Sequence, residues 1–136
     1  MTMRRKIQRD TIGCGIACAA MLAGVTYSAA KSRAIALGLV ESGGPFYTGS
    51  AELQKLLGSF GVLCLRGRKV ASWASVTSPA IVAINHQAAS NQWHWVVYVS
   101  LQNGSYVLDP RATIKAARRV DFNRMRLRSF IPVHAA

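Results

Sequence analysis

Apolar side chains in the first sixty residues recur at helical spacing. Small residues such as Ala17, Ala20 and Gly24 follow one another at three- and four-residue steps, which is typical of a buried helix. Serine and glycine stand at positions where helices prefer to begin and end. The pattern predicts three helices, over residues 14–25, over 28–37 with Ser28 as N-cap, and over 50–59 with Ser50 as N-cap.

After the third helix the pattern becomes that of strands. Residues 62–67 form a first candidate, and the run "PAIVAIN" (79–85) is apolar almost throughout, as in an interior strand. Residues 94–101 and 105–110 flank Asn103-Gly104, a strong hairpin signal. We therefore predict an α+β fold, with a helical N-terminal half packed on an antiparallel C-terminal sheet.

The charge of the chain is strongly unbalanced. Its 136 residues include 17 Lys and Arg against 5 Asp and Glu, for a formal net charge of +12. A chain of this length is expected to form one domain, over residues 1–136, with a substantial core. The charge favours either an anionic partner or a basic surface that only keeps the protein soluble.

The last part of the chain carries the densest positive charge. Residues 118–133 are expected to return along the sheet as one or two edge strands. Their arginines would either dock an acidic protein partner or discourage strand pairing. Nucleic acid is not the expected partner, because the segment lacks the interleaved aromatics of a single-strand binder and helix-turn-helix spacing. The arginines are Arg118, Arg119, Arg124, Arg126 and Arg128.

The stretch "QRDTIGCGIACAAML", residues 8–22, is open to two interpretations. After the basic start "MTMRRKI" it looks like a secretory leader, but Asp10 and two glycines interrupt it, and a further glycine, Gly24, follows. It is also too short and too weakly apolar to span a bilayer. We therefore expect neither a signal peptide nor a membrane span here. The expected location is the cytoplasm, either of the producing cell or of a target cell.

Read for chemistry, the same stretch places Cys14 at the start of a helix. Unpaired backbone N–H groups and the helix dipole favour a thiolate at such a position. The other cysteines, Cys18 and Cys64, form no C-x-x-C pair with it, which fits free thiols in a reducing compartment. A zinc site that joins Cys18 to His86 or His94 lacks a second ligand pair, so no metal or cofactor is expected.

A cysteine nucleophile needs a base within hydrogen-bond reach and a third group that orients the base. His94 begins one predicted strand and Asp109 ends the next. A two-residue turn at Asn103-Gly104 would pair His94 with Thr113, about 13 Å along the strand from Asp109. We therefore expect a wider loop near 100–104, or a bulge, that brings Asp109 back to His94.

The residues around these positions resemble one family. "QRDTIGCGIACAAML" is similar to the cysteine box of papain-like bacterial peptidases of the C39 type, which process bacteriocin leaders. "WHWVVYVSLQNGSYVLDP" is similar to their histidine box. The resemblance spans residues 8–110 and implies a papain-like fold. It further implies Cys14 as nucleophile, His94 as general base and acid, Asp109 as its orienter, and Gln8 beside the Cys14 N–H in the oxyanion hole.

Two functions follow from these observations. The first is a cysteine peptidase that acts on a peptide or protein, either as a processing peptidase or as a toxin or effector domain. The same residues also serve amidases, deamidases and acyl transferases. The second is a non-catalytic basic binding module of the same fold, which holds an acidic protein partner or nucleic acid.

Overall fold

Three helices precede six strands in the computed structural model, which describes residues 3–134. The helices are α1 (Cys14–Ala23), α2 (Tyr27–Ala36) and α3 (Ser50–Ser59). The strands are β1 (Leu63–Cys64), β2 (Arg68–Lys69), β3 (Ala80–Gln87), β4 (Gln92–Leu101), β5 (Gly104–Leu108) and β6 (Leu127–His134). Short 3-10 turns lie at Trp73–Ser75 and Phe122–Arg124. The predicted α+β fold is confirmed.

Two helix caps differ from those predicted. The N-cap of α2 is Thr26, whose hydroxyl accepts an N–H of the first turn at 3.0 Å, so the helix begins before Ser28. The N-cap of α3 is Gly49, and its N–H donates to the Glu52 carboxylate at 3.3 Å. Ser50 is therefore the first residue of the helix rather than its cap.

The strands form an antiparallel sheet in the order β1-β6-β3-β4-β5, and β2 also pairs with β6. The expectation that 118–133 supplies edge strands is wrong, because β6 lies between β3 on one side and β1 and β2 on the other. Phe130, Ile131 and Val133 explain the interior place, since all three are buried. The arginines that suggested an edge strand lie before this apolar run, which covers residues 130–133.

Both faces of the sheet are covered. The three helices pack on one face, and α1 is the most enclosed of them, with every residue from Cys14 to Met21 buried. The opposite face is covered by the segments that contain the two 3-10 turns. The helix-side core includes Ile81, Trp95, Val97, Leu108 and Ile131, and the other includes Val82, Ile84, Val96, Tyr98 and Met125.

The turn between β4 and β5 lies one residue earlier than predicted. Leu101 pairs with Gly104, so Gln102 and Asn103 form a two-residue turn, and Gly104 begins β5 with φ of +141°. Few residues other than glycine adopt that angle. The earlier turn shifts the pairing of the two strands by two residues. Neither the wider loop nor the bulge expected in this hairpin is present in its ladder, which runs without interruption.

Within residues 3–134, no single helix has the length and apolar composition needed to cross a membrane. Helices α1 and α2 reach that length and composition only when taken together, and the chain bends by 109° between them.

Candidate active site

A cleft of about 290 Å³ lies where the first turn of α1 meets the beginning of β4. Its lining combines a thiol, an imidazole, amides and aromatic rings with one exposed guanidinium. The residues that matter most for the chemistry are Gln8, Cys14, Tyr47, Trp93, His94 and Arg111.

Cys14 is the first residue of α1 and is 6% exposed. Its cap, Gly13, has no side chain to pair with the N–H groups of the first turn, so no side chain caps this end of the helix. The backbone N–H of Trp95 approaches the Cys14 Sγ at 3.5 Å from β4. The helix end and the strand therefore meet at this sulfur.

His94 lies on β4, 8% exposed, beside the same sulfur. Its Nε2 is 2.7 Å from Oδ1 of Asp109. Burial alone would lower the pKa of His94, but hydrogen bonds to Asp109 and Cys14, and the charges of both groups, raise it to about 9. The His94 imidazole is therefore mainly protonated at neutral pH.

The strand pairing explains how Asp109 reaches His94. Extension of the β4–β5 register by one step places Asp109 opposite Val96, so that it lies diagonally across from His94 on the same face of the sheet. Diagonal neighbours lie about 7–8 Å apart, within reach of an aspartate and a histidine side chain. The early turn at Gln102 and Asn103 thus produces the contact.

Asp109 is 1% exposed, and both of its carboxylate oxygens are paired. Oδ1 accepts the Arg111 N–H at 2.9 Å in addition to His94, and Oδ2 accepts Nη1 of Arg119 at 2.8 Å. Burial raises the pKa of Asp109, but the hydrogen bonds and charge of His94, the Arg111 N–H and Arg119 together lower it to about 2. His94 therefore lies between the Cys14 thiol and an ionised carboxylate, to which it is hydrogen-bonded.

No family model matches this sequence, and no curated protein matches it. Solved structures do match. A double glycine motif protease from an AMS/PCAT transporter, solved in complex with the leader peptide, superposes with a TM-score of 0.65 at 18% identity. The match covers 98% of this chain and 94% of that chain.

Two further matches are peptidase domains of ComA. The domain from Streptococcus ComA, a bifunctional ABC transporter involved in a quorum sensing pathway, gives a TM-score of 0.69 at 21% identity. That match covers 99% of this chain and 100% of that chain. The domain from Streptococcus mutans ComA gives 0.59 at 18% identity, over 96% and 98% of the two chains.

The fold is that of a papain-like peptidase domain. The resemblance seen in the two sequence boxes is thus confirmed at the level of the fold, and the neighbours are a protease and two peptidase domains. At these identities the matches establish the fold alone. The roles of the individual residues in this papain-like domain therefore depend on the geometry of its own cleft.

Gln8 lines the cleft in a different way from the one that the resemblance implies. Its Nε2 donates to the backbone oxygens of Asp10 at 3.0 Å and Thr11 at 2.9 Å. Its Oε1 is buried and has no protein partner among the described residues. In this structure Gln8 thus shapes the loop that leads to Cys14, and its amide hydrogens are not aimed at the space above the sulfur.

The polypeptide around Asp109 is fixed by the N-terminal segment, which the sequence did not indicate. Arg5 donates from Nε to the backbone oxygen of Asp109, and from Nη2 to those of Arg111 at 2.8 Å and Ile114 at 2.7 Å. The N–H of Gln8 donates to the Pro110 oxygen at 2.9 Å. The segment before α1 therefore holds the loop after β5 in place.

Arg119 was grouped with the exposed arginines of 118–133, and that placement is wrong. Its side chain is only 11% exposed and lies between two carboxylates, Asp109 and Asp121. The short spacing of Arg119 and Asp121 was visible in the sequence. The contact with Asp109 was not, because it depends on how the chain returns to β5.

The other candidates lie away from the cleft chemistry. Cys18 is wholly buried in α1, and burial, followed by the charges of Cys14 and Asp109, raises its pKa. His86 bonds Asn91 Oδ1 at 2.8 Å and stacks on Trp93. Over residues 3–134, no group of three or more His, Cys, Asp or Glu side chains is placed to hold a metal ion.

Proposed function

We propose that this chain is a cysteine peptidase in which Cys14 is the nucleophile, His94 the general acid and base, and Asp109 the group that orients His94. The observation that carries the proposal is the buried His94, which lies between the Cys14 sulfur and the Asp109 carboxylate, with Cys14 and His94 both lining the cleft. The raised pKa of His94 and the lowered pKa of Asp109 favour the charged forms of both groups, with an imidazolium beside the sulfur and a carboxylate behind the imidazolium.

The proposed reaction has two halves. The Cys14 thiolate attacks the carbonyl carbon of a peptide bond, and His94 gives its proton to the departing amine as the C–N bond breaks. A water molecule then attacks the thioester while His94 takes its proton. The C–S bond then breaks to give a carboxylic acid and the Cys14 thiolate, which restores the starting ion pair with the protonated His94.

The free N–H groups at the start of α1 are the natural donors for the oxyanion of both tetrahedral intermediates, with the Cys14 N–H nearest to the sulfur. Gln8 is a second proposed donor. To act as one, its Nε2 must exchange a bond with the backbone oxygen of Asp10 or Thr11 for the substrate oxygen. Its position on the cleft wall makes that exchange a local movement.

We propose a peptide substrate with small residues before the cleaved bond. Tyr47 and Trp93 line the cleft, and their rings meet edge to face with centroids 5.6 Å apart. Bulky aromatics beside the nucleophile leave little room for a large substrate side chain next to the cleaved bond. A structural neighbour that is a double glycine motif protease, solved with the leader peptide, supports the same class.

The deciding experiment is the rate of iodoacetamide labelling at Cys14 against pH, in the parent and in His94→Ala. Peptide mapping separates Cys14 from the half-buried Cys64, which serves as an internal control. We expect the parent to label rapidly well below about pH 8.5, where an ordinary thiol is protonated, and His94→Ala to lose that reactivity.

A fluorogenic peptide amide that ends in Gly-Gly before the reporter then tests cleavage itself, with a Leu-Leu peptide as the matched control. Faster release from Gly-Gly supports the substrate class. Slow and identical labelling of both proteins would show that His94 does not activate Cys14. The peptidase would then be refuted, and the basic surface would become the place to look for function.

A further inference from the structure

Arg119 is built into the protein differently from the arginines around it. Arg118, Arg124, Arg126 and Arg128 are exposed, whereas the Arg119 side chain is 11% exposed. Nε donates to Oδ1 of Asp121 at 2.9 Å and Nη2 to Oδ2 at 2.8 Å, which is a two-bond fork. The remaining nitrogen, Nη1, donates to Oδ2 of Asp109 at 2.8 Å.

The backbone of Arg119 is held as firmly as its side chain. Its N–H donates to the Val107 oxygen at 2.8 Å, and its oxygen accepts the Val107 N–H at 2.9 Å. This isolated bridge ties Arg119 to β5 just before the strand delivers Asp109. The fork to Asp121 then fixes the plane of the guanidinium, so one nitrogen is left that can point only at Asp109.

The bond to Arg119 completes the pairing of the Asp109 carboxylate. His94 and the Arg111 N–H both use Oδ1, so Arg119 supplies the hydrogen bond at Oδ2. With Arg119 removed, Oδ2 of the buried Asp109 would lose its charged partner. A buried carboxylate in that position either rotates or takes up a proton, and both responses disturb its bond to His94.

We propose that Arg119 is a positioning residue of the site: it keeps Asp109 ionised and turned toward His94, so that the imidazolium stays aligned with Cys14. The proposal rests on the peptidase function proposed above. Arg119 itself is not among the residues that line the cleft, so it is not expected to touch substrate. Its loss is therefore expected to lower kcat and to leave KM nearly unchanged.

The test compares Arg119→Met with Arg118→Met in the full-length protein. Both variants lose one positive charge at neighbouring positions, but Arg118 is exposed and lies over the Tyr106 ring, 4.2 Å from its centroid. The readouts are iodoacetamide labelling of Cys14 against pH and turnover of the Gly-Gly fluorogenic peptide. For Arg119→Met we expect kcat to fall by about 10²-fold, the cost of misplacing a reacting group by about 1 Å.

We also expect labelling of Cys14 to fall off at a higher pH in Arg119→Met than in the parent, by about one pH unit or more, because Asp109 loses a neighbouring cation. Arg118→Met should keep the parent profile. Arg119→Lys restores a cation beside Asp109, so it should recover part of kcat. If Arg119 serves stability alone, its loss lowers the unfolding temperature but leaves the pH dependence of Cys14 labelling unchanged. Arg119→Lys would then not restore kcat.

Parental kcat and a parental pH profile in Arg119→Met overturn the proposal. If Arg119→Met does not fold, Arg119→Gln takes its place, because it removes the cation and keeps a polar side chain, and an unchanged kcat and pH profile overturn the proposal in the same way. A different result refutes the peptidase function, namely that Cys14 labels in His94→Ala as it does in the parent. If the parent is active and Arg119→Met behaves like the parent, only the proposed role of Arg119 is refuted.

Discussion

The glycine that follows the nucleophile provides a sharp test of the packing around the site. A Cβ added at Gly15 would lie 2.0 Å from Thr48 Oγ1, 3.1 Å from Trp95 Cδ1 and 3.2 Å from Leu53 Cδ2. All three neighbours are buried to 1% exposure or less, so none has free space into which to move. Gly15→Ala therefore forces α1, the loop at Thr48 or β4 to shift.

Two opposed effects determine how much Gly15→Ala changes the free energy of unfolding. Overpacking of a rigid core costs about 1–3 kcal/mol, and three immobile neighbours place Gly15 at the upper end of that range. Alanine in place of glycine in a helix contributes about 1 kcal/mol in the other direction. We expect Gly15→Ala to lower the free energy of unfolding by about 2 kcal/mol.

Gly58→Ala is the matched control, because it makes the same change within α3. A Cβ at Gly58 meets nothing within 4 Å, so only the helix preference of alanine acts and stability should rise by about 0.5–1 kcal/mol. Urea unfolding measures both variants. With an m value of about 2 kcal/mol/M, the midpoint of Gly15→Ala should fall by about 1 M.

Gly15→Ala should also label more slowly at Cys14, since the first turn of α1 moves with the added methyl group. A midpoint equal to or above that of the parent, at unchanged m, would show that the contacts at Thr48 and Trp95 yield without cost. The account of why glycine follows the cysteine would then be wrong.

Two further predictions concern charge and hydrogen bonding in the cleft. The pKa of folded His94, about 9, lies above its ordinary value of 6.5, so its stabilising contribution is full below about pH 6.5 and is lost as pH rises through 9. Urea unfolding of the parent and His94→Gln across this range should therefore differ most at the acid end, by up to about 3 kcal/mol, and converge at high pH. Gln8→Ala should lower kcat for the Gly-Gly peptide by about 10²-fold if Gln8 donates to the oxyanion. An unchanged kcat with a lowered unfolding temperature would leave Gln8 with only the loop-shaping bonds to Asp10 and Thr11.

The sequence predicted the helices and the main strands because their apolar spacing is a local property. It failed at β6, where the charges of 118–133 suggested an edge, while the place of a strand in the sheet depends on what pairs with it from either side. The turn at Gln102 and Asn103 differs from the predicted one because Asn103-Gly104 is a strong turn signal and the competing turn lies only one residue earlier in the chain.

The site shows the same division. Cys14, His94 and Asp109 stood out by residue type and by their places on predicted elements, and the structure brings them together. The bond from Arg5 joins residues 104 positions apart in the sequence, and the ion pair of Arg119 reaches Asp109 across a loop of ten positions. No local pattern marks such contacts, since they arise only when the chain has folded back on itself.

The interior place of β6 has a consequence for how the protein is made. Every residue of the proposed site precedes Leu127, so a growing chain carries its cysteine, histidine and aspartate before β6 has been synthesised. Until β6 is inserted, β3 has an open side and β1 and β2 have no partner strand. A growing chain whose β6 is still inside the exit tunnel is therefore expected to lack an ordered cleft, and a complete sheet and a working thiol should appear together once β6 has left the tunnel.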